Sequence, residues 1–234
     1  MYESKGMFNK LQDKAIEVAN RARDKCGKPD VKIAGCLPPL YGSYKPEYAP
    51  PLEECIERYQ VISDKQAPYV DLFICETMSS IKEAKASITA ATATSIETWC
   101  ALTILDQSKS SLRSNEGVED ALAQLQEFNH SANLLNCSIP EAITVSLNYL
   151  KKFKKPFGAY ANGFTSIDAL KVGGTVDVLT SRKDLGPNAY LKHVMDWLKS
   201  GAKIVGGCCE ISPDHIKFIN ETLEKLDVKV VSSL

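Results

Sequence analysis

The sequence lacks an excess of charge of either sign, and it lacks long apolar runs. Its 28 lysine and arginine residues balance 29 aspartate and glutamate residues, which leaves a formal net charge of -1. That balance gives no electrostatic reason to expect a nucleic acid or an anionic membrane as partner. No apolar run approaches the roughly 20 residues that span a bilayer, and the polar N-terminus has no apolar signal core. We therefore expect a cytoplasmic protein.

Several motifs of nucleotide-binding and redox proteins are absent as well. No Gly-x-Gly-x-x-Gly follows a predicted strand and no Walker loop occurs, so an open nucleotide-binding sheet loses its main support. No Cys-x-x-Cys pair occurs either, although the chain has eight cysteines. The redox site that such a pair forms at a helix N-terminus is therefore not favoured. The chain is long and has no secretion signal, so we expect free cysteines rather than disulfides.

The sequence does contain a regular alternation of helical and strand patterns. Apolar spacing predicts a helix over residues 8–23 and then six strand–helix units. The predicted strands cover residues 31–37, 71–75, 98–105, 133–137, 157–161 and 203–207. Such alternation indicates a parallel sheet, in an open doubly wound fold or a (β/α)8 barrel. Six units are too few to close an eight-stranded barrel. We expect residues 1–234 to form one domain.

Polar residues gather at the predicted carboxyl ends of these strands, the edge where parallel α/β folds build their active sites. This set contains Glu76, Thr77, Asp106, Asn136, Cys137, Asn162, Cys208 and Cys209. Asp106 is a candidate substrate contact, but an aspartate before a polar loop is more often a cap or turn residue. Tyr160 and Asn162 are candidates for the lining of a substrate pocket.

Three of these residues, Cys137, Cys208 and Cys209, arrive at that edge from two strands. Zinc binds cysteine sulfur tightly, and three protein ligands leave the fourth position open for catalysis. Adjacent Cys208 and Cys209 do not suit a disulfide with each other, and Gly206 and Gly207 would permit a sharp turn that aims both at one metal. Spacing alone leaves a zinc site and two buried cysteines at a strand end equally open.

The other five cysteines have a simpler interpretation. They are Cys26, Cys36, Cys55, Cys75 and Cys100, which lie within apolar runs or on helical patterns. A free cysteine is commonly a small buried hydrophobic residue, so we expect core packing. The three histidines lie on helices or their edges; His215 follows a helix start with Ser212 as cap and Pro213 at the first position.

Four segments carry a resemblance to one protein family. They are VGGCCEISPDHI, LLNCSIPEAI, VDLFICETMSSIKEA and GCLPPLYGSYKPEY. The first resembles the Gly-Gly-Cys-Cys segment of the homocysteine S-methyltransferase family, and the second its upstream Asn-Cys segment. The third resembles its Asp-x-x-x-x-Glu-Thr strand, and the fourth its Gly-rich loop. The segments occur in the family's order and cover nearly the whole chain.

The resemblance implies a (β/α)8 TIM barrel that binds Zn²⁺ and transfers a methyl group to the homocysteine thiol, giving methionine. The donor would be S-methylmethionine, S-adenosylmethionine or a betaine-like onium compound. Cys137, Cys208 and Cys209 match the zinc ligands, and Glu76 matches the carboxylate that holds the homocysteine ammonium group. Asn136 would lie in or just outside the ligand shell. Thr77, Tyr160 and Asn162 complete the expected substrate-binding set.

The chain also departs from the family pattern. The family's opening Asp-Gly-Gly-Met-Gly-like strand and its Thr-x-Thr-Tyr-like second strand have no counterpart here. We therefore expect an N-terminally truncated barrel with about six units. Three explanations stay open: the chain is a fragment, a homo-oligomer or a partner chain covers the missing strands, or the barrel is open or rearranged. Two alternatives to the methyltransferase stay open. One is a zinc- or thiol-binding module without turnover, and the other is a redox protein that uses Cys208 and Cys209.

Overall fold

A computed structural model of the chain describes residues 5–28 and 30–231. Its sheet has six parallel strands, each hydrogen-bonded to the next along the chain. They are β1 (Ala34–Leu37), β2 (Leu72–Met78), β3 (Thr98–Leu102), β4 (Ala132–Asn136), β5 (Phe157–Ala161) and β6 (Ile204–Gly207). A doubly wound sheet reverses its strand order at a switch point, whereas this order is sequential throughout. The fold is therefore a half-barrel, as the six predicted units require.

Seven α-helices accompany the strands in the described part of the chain. They are α1 (Lys5–Cys26), α2 (Leu52–Gln66), α3 (Ile81–Ala93), α4 (Val118–Leu125), α5 (Pro140–Leu150), α6 (Pro187–Lys199) and α7 (Pro213–Lys225). Three short 3-10 helices, Pro46–Tyr48, Ala67–Tyr69 and Val176–Val178, lie in the connections. No helix among the described residues is both long enough and apolar enough to cross a bilayer.

The main core lies between the sheet and the helices. Phe73 and Cys75 of β2 and Leu135 of β4 are fully buried against the helical layer. Helix α3 begins at Ile81 because the Ser80 hydroxyl caps it, accepting a hydrogen bond from the Glu83 amide at 3.2 Å. Four alanines of α3 are buried, and such small side chains let its neighbours approach closely: Ala84, Ala86, Ala90 and Ala91.

The opposite face of the sheet is the interior of the half-barrel. Ala101, Ala132 and Leu134 are buried there and pack against half-buried Trp99 and Ile204. These side chains form one apolar layer across β3 to β6. The half-buried state of Trp99 and Ile204 shows that the layer is covered incompletely, as expected for a sheet that does not close.

Two predicted carboxyl ends differ from the structure by three residues. Strand β2 runs to Met78 instead of ending at residue 75, with an irregular register to β3 between Cys75 and Met78. Strand β3 ends at Leu102 instead of residue 105, because the chain turns back on itself and Ile104 pairs with Leu112 in an antiparallel bridge. Apolar residues at 104 and 105 are also compatible with a longer strand, so composition alone could not place this end.

Two of the five cysteines that were predicted to pack in the core do not do so. Cys55, Cys75 and Cys100 are buried in the core, as predicted. Cys26, the last residue of α1, is exposed, as are its neighbours Lys25 and Gly27. Cys36 is half-buried on the interior face, where its thiol donates a hydrogen bond to Glu76 at 3.1 Å.

Gly158 permits the close approach of β5 and β6. A Cβ at this position would overlap the backbone carbonyl oxygen of Ile204, the residue paired with Gly158 across the two strands. We expect Gly158→Ala to lower the free energy of unfolding by roughly 1–3 kcal/mol, the usual range for overpacking. Urea denaturation of the reduced protein measures this change.

Gly186→Ala is the matched control, because a Cβ at Gly186 meets nothing within 4 Å and its φ of -73° suits any residue. Its unfolding free energy should stay within about 1 kcal/mol of the parent value. Equal destabilisation by the two changes would show that the β5–β6 contact is not the reason for glycine at residue 158.

Candidate metal and substrate site

Three cysteine sulfurs meet at the carboxyl edge of the sheet, as the sequence predicts. Cys137 follows β4 directly, and Cys208 and Cys209 follow β6. Their three sulfur atoms lie within 4.8 Å of one another. The Cys209 sulfur is 3.9 Å from that of Cys137 and 3.9 Å from that of Cys208. Cys137 and Cys209 are buried or half-buried beside an apolar cluster.

The structure joins Cys137 and Cys208 as a disulfide, with a Cα–Cα distance of 5.8 Å. This pairing contradicts the expectation of free cysteines. Its physical reason is the convergence of two strand ends, which brings both sulfurs to one point where they can share a bond or a ligand. Cys208 and Cys209 are not bonded to each other, as their adjacency predicts. The redox alternative built on that neighbouring pair therefore has no support in the geometry.

The turns that aim the sulfurs are made by residues other than the predicted glycines. Cys137 has a φ of +48° and Glu210 a φ of +65°, the left-handed region that non-glycine residues rarely adopt. Neither Gly206 nor Gly207 has a positive φ. Gly207 is needed for space, because a Cβ there would overlap the side chain of Ile211.

Glu76 lies within β2, on the interior face, and both of its carboxylate oxygens are engaged. Cys36 donates to Oε2 at 3.1 Å, and the Tyr160 hydroxyl donates to Oε1 at 3.1 Å. Burial raises the pKa of the Cys36 thiol, and the negative charge of Glu76 raises it further. The same two causes raise the pKa of Tyr160. Both groups therefore keep their protons and remain donors to Glu76.

Glu76 is also electrostatically close to the sulfur cluster. Burial raises the pKa of the Cys209 thiol, its own backbone hydrogen bond opposes this, and the charges of Glu76 and Glu210 add to the rise. Cys209 therefore keeps its proton at neutral pH unless a cation replaces it. The carboxylate and the sulfurs share one open mouth of the half-barrel.

Asn136 and Thr77 form a reciprocal pair across the sheet. The Asn136 Oδ1 accepts from the Thr77 amide at 3.1 Å, and its Nδ2 donates to the Thr77 hydroxyl at 3.0 Å. Thr77 has a φ of +59° at the irregular part of β2, so this pairing secures a strained residue directly after Glu76. The structure thus places Asn136 and Thr77 in a supporting contact; direct binding of substrate by either remains a prediction.

Asn162 follows β5 and is 1% exposed. Its backbone amide donates to the carbonyl oxygen of Ser138, next to Cys137, at 3.1 Å, and its Oδ1 accepts from the Phe164 amide at 3.3 Å. Its Nδ2 has no well-aligned hydrogen-bond partner among the described residues, although its interaction with the Tyr44 hydroxyl lowers the pKa of that tyrosine against the larger rise that burial causes. A buried amide that lacks a well-aligned partner is unusual and costly, so Asn162 stays a candidate for the lining of a substrate pocket.

A loop that sequence reasoning did not anticipate covers the sulfur cluster. Phe164, Ile167 and Leu170, which follow β5, are buried with Tyr44 over Cys137 and its neighbours. Burial raises the pKa of Tyr44, the Cys209 thiol adds to the rise, and the Arg113 cation opposes it. Tyr44 therefore lies between the sulfurs and Arg113.

Asp106 is a cap and turn residue, the simpler of its two interpretations. Its Oδ1 accepts from the Ile139 amide at the start of α5, at 3.0 Å, and its Oδ2 accepts from Arg113 at 3.2 Å. His215 likewise caps α7 together with Ser212. Arg113 itself was missed, because an arginine in a polar loop looks the same in sequence whether it is solvated or buried.

The sequence profile of the homocysteine S-methyltransferase family matches residues 2–223. A selenocysteine methyltransferase from Astragalus bisulcatus is 33% identical over 96 residues, 38% of this chain and 25% of that protein. Homocysteine S-methyltransferase 1 from Arabidopsis thaliana is 25% identical over 92% of this chain and 71% of its own length.

Crystal structures of the homocysteine methyltransferase MmuM from Escherichia coli share the fold. The apo form is 21% identical with a TM-score of 0.73, covering 93% of this chain and 75% of that one. The metallated form is 22% identical with a TM-score of 0.71, covering 92% and 70%. The half-barrel thus corresponds to part of a TIM-barrel-type fold. With the profile matching nearly its whole length, the chain belongs to the homocysteine S-methyltransferase family.

Proposed function

We propose that this chain holds Zn²⁺ on Cys137, Cys208 and Cys209 and supports methyl transfer from an onium donor to the homocysteine thiol, giving methionine. The observation that carries the proposal is the convergence of three sulfurs, from two strand ends, on one point. Family membership supports homocysteine as the methyl acceptor. The E. coli relative, described in a metallated form, supports a metal in this fold.

The sulfur geometry fits zinc. Tetrahedral ligation at about 2.3 Å places thiolate sulfurs roughly 3.8 Å apart. The Cys137–Cys209 and Cys208–Cys209 separations are both 3.9 Å. The third pair is a disulfide in the structure, so metal binding requires its reduction. Three ligands leave one of the four positions of zinc for the substrate sulfur.

The chemistry of the metal suits the acceptor. A free thiol has a pKa of about 8.5, so only a few per cent is thiolate at neutral pH. Bound zinc supplies Lewis acidity that keeps the homocysteine sulfur deprotonated and in place. The chain's own contribution is to orient the acceptor so that its sulfur faces the methyl carbon of the donor. No general base is required.

In this proposal, Glu76 holds the ammonium group of homocysteine. Its two oxygens accept one hydrogen bond each, from Cys36 and Tyr160, and a carboxylate has about four acceptor positions. Two positions therefore remain for an ammonium group. The protonated Cys36 and Tyr160 fix the direction of the carboxylate without neutralising its charge.

A betaine donor would need a cage of aromatic side chains around its quaternary ammonium group, and the tyrosines at residues 41, 44, 48 and 160 are dispersed. Tyr41 and Tyr44 each face an arginine, at 5.3 Å and 5.2 Å, and the Tyr160 hydroxyl is bound to Glu76. Tyr48 is 56% exposed. These four residues form no common cage in the described structure, so the proposal favours a sulfonium donor over betaine.

The alternative proposal is a zinc- and thiol-binding module without turnover. It is favoured by one observation, the open sheet, whose interior residues Trp99 and Ile204 are only half-buried. A methyl-donor panel with homocysteine distinguishes the two proposals. Methionine formed from any sulfonium donor by the reduced, zinc-loaded chain supports the enzyme, whereas zinc and thiol binding without methionine supports the module.

The metal proposal predicts one zinc per chain after purification under reducing conditions. We expect Cys208→Ser to weaken zinc binding by more than the roughly 10–100-fold that changes outside the ligand shell cause. Cys26→Ser is the control, because Cys26 is exposed and lies at the end of α1. Elemental analysis and competition with a chromogenic chelator measure both variants. Reduced protein that binds no zinc contradicts the proposal.

The substrate proposal predicts that Glu76→Gln weakens homocysteine binding by roughly 10–100-fold, since a hydrogen bond to a charged group contributes about 1.5–3 kcal/mol. Zinc affinity should be unchanged. Displacement of the absorption bands of the Co²⁺-substituted protein measures thiol binding. An alkanethiol without an amino group is the control and should bind parent and variant alike. An equal loss for both thiols would place the effect of Glu76 on the metal instead of the ammonium group.

A further inference from the structure

Arg113 is a nearly buried cation in the loop that follows β3. Its side chain is 6% exposed, and that of its partner Asp106 is 12% exposed. Two guanidinium nitrogens donate to the same oxygen, Oδ2 of Asp106, each at 3.2 Å. The guanidinium also lies 5.2 Å from the ring centre of Tyr44. Charges removed from water in this way are retained only when their partners compensate them.

The same loop holds the segment that carries Cys137. The Thr103 hydroxyl donates to the Cys137 carbonyl at 3.3 Å, and the Ile104 amide donates to the Ser138 hydroxyl at 3.0 Å. Arg113 reaches Ser138 at 3.5 Å. The other carboxylate oxygen of Asp106, Oδ1, accepts from the Ile139 amide at 3.0 Å. Three consecutive residues, 137 to 139, are thus fixed by one loop.

Cys137 needs such support because of its own conformation. Its φ of +48° is in the left-handed region, which costs a non-glycine residue about 1–3 kcal/mol and persists only where the surroundings enforce it. Relaxation of this turn would move the Cys137 sulfur away from those of Cys208 and Cys209. The hydrogen bonds on the residues that follow it therefore act on the position of the sulfur.

We propose that Arg113 is a positioning residue: by clamping Asp106 and contacting Ser138, it holds Cys137 in the turn that brings its sulfur to the cluster. The consequence for zinc rests on the proposed function. The placement of the sulfur does not, because Cys137 and Cys208 also meet as a disulfide. Lysine cannot replace Arg113, since a single ammonium group lacks the fork that engages Asp106 and Ser138 together.

The first experiment measures sulfur placement without metal. In a glutathione buffer, formation of the Cys137–Cys208 disulfide consumes one oxidised glutathione and releases two reduced molecules, so its equilibrium constant reports how often the two sulfurs meet. We expect Arg113→Met and Arg113→Lys to lower this constant by roughly 10-fold. Asp106→Asn keeps the side chain's shape and an oxygen for Ile139, so it provides a milder test if Arg113→Met does not fold.

Arg58→Met is the matched control. Arg58 also pairs with a carboxylate, Glu54 at 2.6 Å, and also faces a tyrosine, Tyr41 at 5.3 Å, but it lies on α2. The constant should stay at the parent value in this variant. An unchanged constant in both Arg113 variants and in Asp106→Asn overturns the proposal, and so does an equal fall in Arg58→Met, which would indicate general destabilisation.

A second experiment measures zinc affinity on the same variants in the reduced state. We expect Arg113→Met to weaken zinc binding by roughly 10–100-fold, the range for groups that orient a ligand. If the parent chain binds no zinc while the disulfide constant falls as expected, the proposed function fails and the positioning role of Arg113 stands. If the parent binds zinc and the disulfide constant does not change, the positioning role fails alone.

Discussion

Six parallel strands in sequential order bring their carboxyl ends to one edge, and every group of the candidate site depends on this shared edge. It places Cys137 beside Cys208, although 71 residues separate them in the chain. The same edge brings Glu76 on β2 to Tyr160 on β5. No local segment contains enough of these groups to bind a metal or a substrate. The site therefore exists only when the sheet has formed.

The periodic parts of the structure could be predicted from sequence, because apolar spacing reports which face of an element is buried. All six strands and the convergence of Cys137, Cys208 and Cys209 followed from that spacing and from the parallel topology. The long-range polar contacts could not be predicted from the sequence. The pairing of Asn136 with Thr77 and of Arg113 with Asp106 depends on loop paths that leave no periodic trace.

At this site, residues with strained backbone conformations are held by hydrogen bonds from side chains at other strand ends. Thr77 and Cys137 both adopt left-handed backbone conformations, and both lie at the edge of the sheet. Each is secured by side chains from another strand end: Asn136 holds Thr77, and Thr103 holds the Cys137 carbonyl. Glycine would adopt these conformations without strain, but it could supply neither a sulfur ligand nor a hydroxyl. The need for these side chains thus explains why non-glycine residues occupy positions where glycine would have less backbone strain.

The two donors on Glu76 have a consequence for which cations the mouth of the half-barrel accepts. Cys36 and Tyr160 keep their protons, and each donates a hydrogen bond to the Glu76 carboxylate. A carboxylate that accepts these bonds has fewer lone pairs left to bind a metal ion. Among the described residues, the group of potential metal ligands at this edge consists of Cys137, Cys208 and Cys209. Hard ions such as Mg²⁺ and Ca²⁺ prefer oxygen and gain little from three sulfurs, whereas thiolates select softer ions. In the proposed zinc site, a hydrogen bond between a thiol and a carboxylate would therefore contribute to discrimination among metals without touching any of them.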